Sequence, residues 1–63
     1  MNLDIRVAGE RPWDMAERER LIRAKTVELV TARATAIREE TYGDGYLGHI
    51  VMLDPEGNEF CVA

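Results

Sequence analysis

Four polar side chains are the strongest candidates for chemistry in this 63-residue sequence. Asn2, Asp4 and Arg6 alternate with aliphatic residues in the segment 2–7, a period-two pattern that predicts a strand with one polar face. Cys61 joins the same sheet face if its apolar neighbours in the last strand turn the other way. Because mixed polar and apolar linings are typical of ligand cavities, we expect a bound molecule to contact Asp4, Arg6 and Cys61, with Asn2 at the edge.

A self-contained ion pair is the alternative interpretation of Asp4 and Arg6. The two residues are two positions apart on one strand, close enough to pair with each other. Buried charges are costly unless they are paired or held by a ligand. The sequence leaves both interpretations open.

The chain contains one cysteine and one histidine, which limits redox and metal chemistry. Cys61 excludes an internal disulfide and cannot form a zinc cluster alone. A nucleophilic thiol needs a neighbouring base, and the sequence provides no evident one, so we interpret Cys61 as a small buried group. We interpret His49 as a structural, half-buried side chain.

Composition narrows the classes of partner. The net charge is −4 and the basic residues are not clustered, which argues against nucleic acid and anionic membranes. No apolar run approaches the ~20 residues of a membrane span, and the N-terminus does not resemble a secretory signal. A free cysteine without such a signal predicts the reducing cytoplasm. Residues 1–63 make one small domain with a marginal core, so we expect the chain to pair with itself, most simply as a homodimer.

Hydrophobic periodicity predicts the first two elements. Residues 3–8 form a strand, and a break at 9–12 precedes a helix capped by Asp14. The charged run 17–20 is interpreted as a solvated helix face. The apolar stripe of the helix comprises Met15, Ile22, Thr26, Leu29 and Val30.

Three further strands are predicted over residues 35–41, 47–53 and 59–63, separated by glycine-containing turns at 42–46 and 54–58. The order is β-α-β-β-β, an α+β fold with one helix-covered sheet face. On the uncovered face, the third strand presents one of two sets: His49, Val51 and Leu53, or Ile50 and Met52. Either set mixes aliphatic groups with charges, which predicts a ligand cavity or a polar dimer interface under a second sheet.

The segment 48–62, with its Asp-Pro-Glu-Gly-Asn turn, closely resembles the C-terminal strand-turn-strand of glyoxalase-like proteins. These belong to the vicinal oxygen chelate superfamily, which includes glyoxalase I, bleomycin-resistance proteins and extradiol dioxygenases. The first strand and the helix also match, so the resemblance covers nearly the whole chain. It implies one βαβββ module, half of the usual two-module barrel-like unit, similar to the second module and completed by oligomerisation.

Two departures from that family matter. Metal-dependent members take ligands from the first and fourth strands, and the matching positions here are Asn2 and Cys61, neither of which is the usual His or Glu. We therefore expect no metal and no cofactor. Arg33 replaces the usual glycine at the helix end, which should cost of order 1 kcal/mol.

Three functions follow, in order of preference. The first is a metal-free small-molecule-binding protein with its site between subunits. The second is a pairing module or shortened family member without a ligand. The third is a glyoxalase- or dioxygenase-type enzyme with ligands from another chain. The absent His and Glu favour binding over catalysis.

Overall fold

The computed structural model describes residues 3–63. It contains β1 (Leu3–Ile5), α1 (Met15–Thr31), β2 (Thr35–Thr41), β3 (Leu47–Leu53) and β4 (Glu59–Val62). The predicted α+β class and the βαβββ order are confirmed. In the described range, no helix combines the length and apolarity needed to span a membrane.

The four strands form one open mixed sheet in the order β1-β4-β3-β2. β1 runs parallel to β4, whereas β4-β3 and β3-β2 are antiparallel pairs. β1 is shorter than the predicted strand over residues 3–8. Backbone hydrogen bonds of 2.8 Å from the Val7 amide to the Ala63 carbonyl and from the Ala63 amide to the Ile5 carbonyl still hold the following residues beside β4.

The helix begins as predicted, because the Asp14 carboxylate accepts hydrogen bonds from the Ala16 and Glu17 amides at 3.1 and 3.2 Å. It ends with Arg33 in the left-handed region at φ 77°. The Arg33 amide donates to the Val30 carbonyl and the Ala34 amide to the Leu29 carbonyl. These two hydrogen bonds are the pattern of a Schellman cap, formed here without the glycine that usually supplies the positive φ.

The core lies between α1 and one face of the sheet. Ile22 is fully buried, and its partners from the sheet include Ile50, Met52, Phe60 and Val62. Because Ile50 and Met52 face the helix, the other candidate set of β3, His49, Val51 and Leu53, belongs to the uncovered face. The sheet therefore has one apolar face and one mixed face, as the alternation predicted.

Parts of the predicted apolar stripe and polar side of α1 are wrong. Val30, a member of the predicted stripe, is exposed, because a single helix meets the sheet along a narrow contact. Leu21, whose helical spacing places it among the polar residues, is half-buried. Arg18, assigned to the solvated charged run, is only 3% exposed and packs against the start of β3.

The turn between β3 and β4 is organised by one carboxylate. The Asp54 side chain accepts hydrogen bonds from the Glu56 and Asn58 amides at 2.9 and 2.8 Å. The hydrogen bond from the Asn58 backbone amide lowers the pKa of Asp54, and the other donors of the turn add to this effect. Gly57 has φ 87°, a conformation that L-residues with side chains rarely adopt.

Candidate functional site

A cleft opens at one end of the uncovered sheet face. It has a volume of about 270 Å³, and its lining includes Asp4, Arg6, Arg11, Trp13, Arg18 and Cys61. We call it the face cleft. A second cleft of about 480 Å³ adjoins it on the side of the loop after β1 and shares Arg6, Arg11, Trp13 and Arg18. We call this one the loop cleft.

The structure brings together three of the four residues proposed to bind a ligand. Asp4 and Cys61 are direct neighbours in the register of β1 and β4, and both line the face cleft with Arg6. Arg6 reaches the cleft because the backbone bonds at Ala63 keep residues 5–7 beside the end of β4. Asn2 lies outside the described residues.

The ion pair between Asp4 and Arg6, the alternative that the sequence left open, does not form in the described chain. Both residues are exposed in the single chain, and none of the ion pairs among residues 3–63 joins them. An exposed carboxylate and guanidinium keep their water, so neither needs the other as a partner. Both side chains remain open to a ligand.

Cys61 is a half-buried thiol on the uncovered face. Burial raises the pKa of the Cys61 thiol, and the negative charges of Asp4 and Glu59 raise it further. Arg38 acts in the opposite direction, and Glu40 adds to the increase. The environment therefore favours the neutral thiol, consistent with the prediction that Cys61 is not an activated nucleophile.

Arg18 and Arg11 are residues of the clefts that the sequence interpretation missed, and Arg18 is the buried one. Its guanidinium donates hydrogen bonds to the Leu47 carbonyl at 2.8 Å and to the Gly48 carbonyl at 2.7 Å. It lies 4.5 Å from the centre of the Trp13 ring and 5.9 Å from that of Tyr42. Its Nε is buried and has no hydrogen-bond partner in the described part of the chain.

A signal for the burial of Arg18 was present in the sequence. The residue follows Met15 by three positions and precedes Ile22 by four, which places it on the same helix face as both. The neighbouring charges at positions 17, 19 and 20 led to its assignment to the solvated run.

Gly48 allows the close packing at this end of the cleft. A Cβ at position 48 would lie 3.1 Å from the Glu40 carbonyl oxygen and 3.4 Å from the Tyr42 ring. The absence of a side chain therefore lets Tyr42 approach the strand that binds Arg18. His49, the next residue, is half-buried and lines the same cleft.

Seven of the eight basic residues divide into two groups, and the eighth, Arg33, lies at the end of α1. Arg20, Arg23, Lys25 and Arg38 each form an ion pair with a glutamate. Arg6, Arg11 and Arg18 line both clefts, and within residues 3–63 none of them forms an ion pair. One side-chain carboxylate lines each cleft, Asp4 the face cleft and Glu10 the loop cleft, and the main chain of Ala63 lines both. Positive charge therefore predominates at this site in a chain of net charge −4.

The side chains of the site do not fit a catalytic divalent metal. Among residues 3–63, no three His, Cys, Asp or Glu side chains gather closely enough to bind an ion. Cys61 is the one cysteine of the chain, and a lone thiol favours a soft metal over the divalent ions of such catalytic sites. We therefore derive no metal-dependent step from this chain.

Comparison with known proteins gives one match. A family model described as a glyoxalase-like domain matches residues 1–63, the whole chain. Neither the curated proteins nor the solved structures give a match.

Proposed function

Because the chain belongs to the glyoxalase-like domain family, the module of the vicinal oxygen chelate superfamily, we propose that it binds a small molecule without a metal, on the uncovered face of its sheet. One observation carries the proposal: Asp4, Arg6 and Cys61 meet in a single cleft whose wall also contains the buried Arg18. Concave sites with a few convergent polar groups among apolar ones are the usual form of ligand sites.

The proposed site is completed by a second copy of the chain. Val51 is 2% exposed on the uncovered face, beside Arg38 and Cys61 in the register of the sheet, while Asp4 and Arg6 are open. A shallow cleft on one module leaves most of a ligand in water, and a facing surface would remove that water. The binding site therefore lies between two subunits in this proposal.

Titration of the isotopically labelled protein with a fragment library, followed by amide chemical shifts, tests the proposal. We expect saturable shifts for at least one fragment at residues 4–6, 48–49 and 61. Asp4→Ala and Arg6→Ala should weaken binding while the melting temperature stays close to that of the original chain, because both side chains are exposed. Shifts confined to the groove between α1 and β2, or none at all, would contradict the proposal.

Pairing without a ligand is the second candidate. β1 is an edge strand of three residues, and its Leu3 is 66% exposed although its register partner Phe60 is buried. An unpaired edge with an exposed aliphatic side chain favours strand addition from another chain. A dimer that binds no fragment on the uncovered face would select this function over the first.

A further inference from the structure

The three arginines of the two clefts point to the charge of the ligand. Arg18 is 3% exposed, and it hydrogen-bonds only to neutral carbonyl oxygens in the described chain. Trp13 and Tyr42 are the aromatic groups that approach its guanidinium, so its positive charge is desolvated but not neutralised. Desolvated charges act over longer distances than solvated ones, because the surrounding dielectric constant is low.

Arg6 and Arg11 extend this positive charge to the surface. Both are exposed, line both clefts with Arg18, and have no carboxylate within ion-pair distance among residues 3–63. Arg11 also lies 4.8 Å from the Trp13 ring, on which Arg18 packs as well. Two guanidinium groups therefore pack on one indole with no carboxylate paired to either, and an anion in the clefts that both line would offset their charge.

We infer that the ligand of this site is an anion, a small molecule whose carboxylate or phosphate group lies between Arg6 and Arg11, above the buried charge of Arg18. This inference rests on the proposed function and specifies the class of molecule bound. Arg6 and Arg11 are the direct hydrogen-bond donors, because guanidinium groups match the geometry of such oxygen pairs. Arg18 acts mainly through its charge, since its Nη atoms already bind the carbonyls of β3.

The carboxylates near the site limit where the anion binds. Asp4 lines the face cleft and Glu10 the loop cleft, and each would repel an anion placed beside it. The region common to both clefts is lined by the three arginines, Trp13 and Ala63. Neither Asp4 nor Glu10 lines both clefts. The anionic group therefore occupies this shared region, and the remainder of the molecule extends along the uncovered face.

A pair of probes that differ in charge tests the inference. Benzoate and benzyl alcohol share an aromatic ring, and inorganic phosphate serves as an anion without one. Titration of each into the whole labelled chain is followed through the backbone amides of residues 9–13 and the Arg18 Nε–H signal. We expect saturable shifts with benzoate and phosphate and weaker ones with benzyl alcohol. Raising the ionic strength from about 0.1 M to about 1 M, which shortens the Debye length from roughly 10 Å to 3 Å, should weaken benzoate binding.

Exposed arginines provide variants that keep the fold. Arg11→Gln and Arg6→Gln should each raise the dissociation constant for benzoate by about threefold to tenfold, because each removes a charge-assisted hydrogen bond. Arg20→Gln removes the same charge from the distant side of α1, where Arg20 pairs with Glu17, and should leave the constant unchanged. Equal losses in all three variants would reduce the effect to net charge and overturn the inference.

The two proposals can fail separately. If neutral fragments bind the uncovered face but benzoate and phosphate do not, the anion inference is wrong and small-molecule binding stands. If neither anions nor neutral fragments shift residues of the clefts, both are wrong. Benzoate binding that survives the double substitution Arg6→Gln/Arg11→Gln also overturns the inference.

Discussion

The Arg18 side chain joins the first turn of α1 to the first residues of β3. Its two hydrogen bonds satisfy the Leu47 and Gly48 carbonyls, and Trp13 and Tyr42 cover the guanidinium. Burying a guanidinium charge costs free energy. Arg18 stabilises the fold only because its two hydrogen bonds to carbonyl oxygens and its contacts with the Trp13 and Tyr42 rings together offset that cost. The same residue therefore has a structural role and supplies the charge beneath the cleft.

Replacing Arg18 should show the structural role. Arg18→Ala leaves two buried carbonyl groups without donors, and we expect a loss of about 2–3 kcal/mol in the free energy of unfolding. For a domain of this size, that loss lowers the melting temperature by roughly 10–20 °C. Arg18→Lys should recover only part of it, because one ammonium cannot bind both carbonyls in the geometry of a guanidinium. Arg20→Ala is the matched control, and a similar loss in that exposed position would contradict the assignment.

The raised pKa of Cys61 leads to a prediction about reactivity. Its pKa lies above the ordinary value, so the folded state favours the neutral thiol. The neutral Cys61 thiol therefore contributes fully to the stability of the folded state below the pKa that Cys61 has in the unfolded chain. The contribution is lost as pH rises through the higher pKa of Cys61 in the folded chain. The rate of alkylation by iodoacetamide should therefore rise with a midpoint above about 8.5, the ordinary cysteine pKa.

The neighbours of Cys61 provide the control for that measurement. Asp4→Asn should lower the midpoint, because the Asp4 charge raises the pKa of Cys61. Asp44→Asn, in the turn between β2 and β3, should leave it in place. A midpoint at or below the ordinary value in the original chain would show an activated thiol and would reopen the nucleophilic interpretation.

At the scale of elements, the residue after the end of α1 adopts a backbone conformation that costs free energy for any residue with a Cβ. Arg33 adopts φ 77° so that the Arg33 and Ala34 amides can donate to the last turn of the helix. The Cβ of an L-residue is crowded in this conformation, whereas glycine adopts it freely. The cap forms anyway because Ala34 is buried in the core and Leu29 packs against it.

Substitution at this cap should stabilise the chain. We expect Arg33→Gly to raise the free energy of unfolding by up to about 1 kcal/mol, measured by urea denaturation. Thr31→Gly, two residues earlier and at the last helical position, should instead lower it by about 0.3–0.5 kcal/mol, because glycine is less favourable than threonine at helical dihedral angles. If both glycines destabilise equally, the left-handed conformation at position 33 is not the source of the cost.

At the scale of the whole molecule, one helix on a four-stranded sheet leaves much apolar surface in water. Leu3 and Val27 are each 66% exposed, and β1 and β2 are open edges of the sheet. The uncovered face carries the half-buried Leu53 beside charged residues, while Val51 on the same face is already buried by its neighbours. A domain this small buries about 60% of its extended surface, so a further interface would add substantially to its stability.

Homodimerisation is the corresponding prediction. Light scattering coupled to size exclusion at micromolar concentration should give twice the mass of the chain, and the melting temperature should rise with protein concentration. Leu3→Lys separates the two ways of pairing: it should give monomers if the subunits join through the β1 edge, because a charge on an edge strand blocks strand addition, and it should leave a dimer built on the uncovered face intact. Val27→Lys, at an equally exposed helix position, should remain dimeric. A folded monomer at every concentration would contradict the prediction.

Local chemistry in the sequence determined most of the fold. The bounds of β2 and β3, the Asp14 cap and the βαβββ order follow from periodicity, turn residues and capping, which act between near neighbours. The left-handed Arg33 was expected only from the resemblance to a family that usually has glycine there. The alternation of β1 and β4 also placed Asp4, Arg6 and Cys61 on one face. These features could be predicted because each depends on a few consecutive residues.

Tertiary structure decided which individual side chains are buried, exposed or paired. Arg18 is buried because its partners are carbonyls 29 and 30 positions away in the chain, a separation that no local pattern encodes. Val30 is exposed because α1 contacts the sheet along a narrow strip, although its spacing in the helix matched an apolar stripe. Asp4 and Arg6 remain unpaired with each other because both stay exposed to water on the single sheet. The positive site formed by Arg6, Arg11 and Arg18 exists only because the folded chain brings a strand, a loop and a helix to the same end of the sheet.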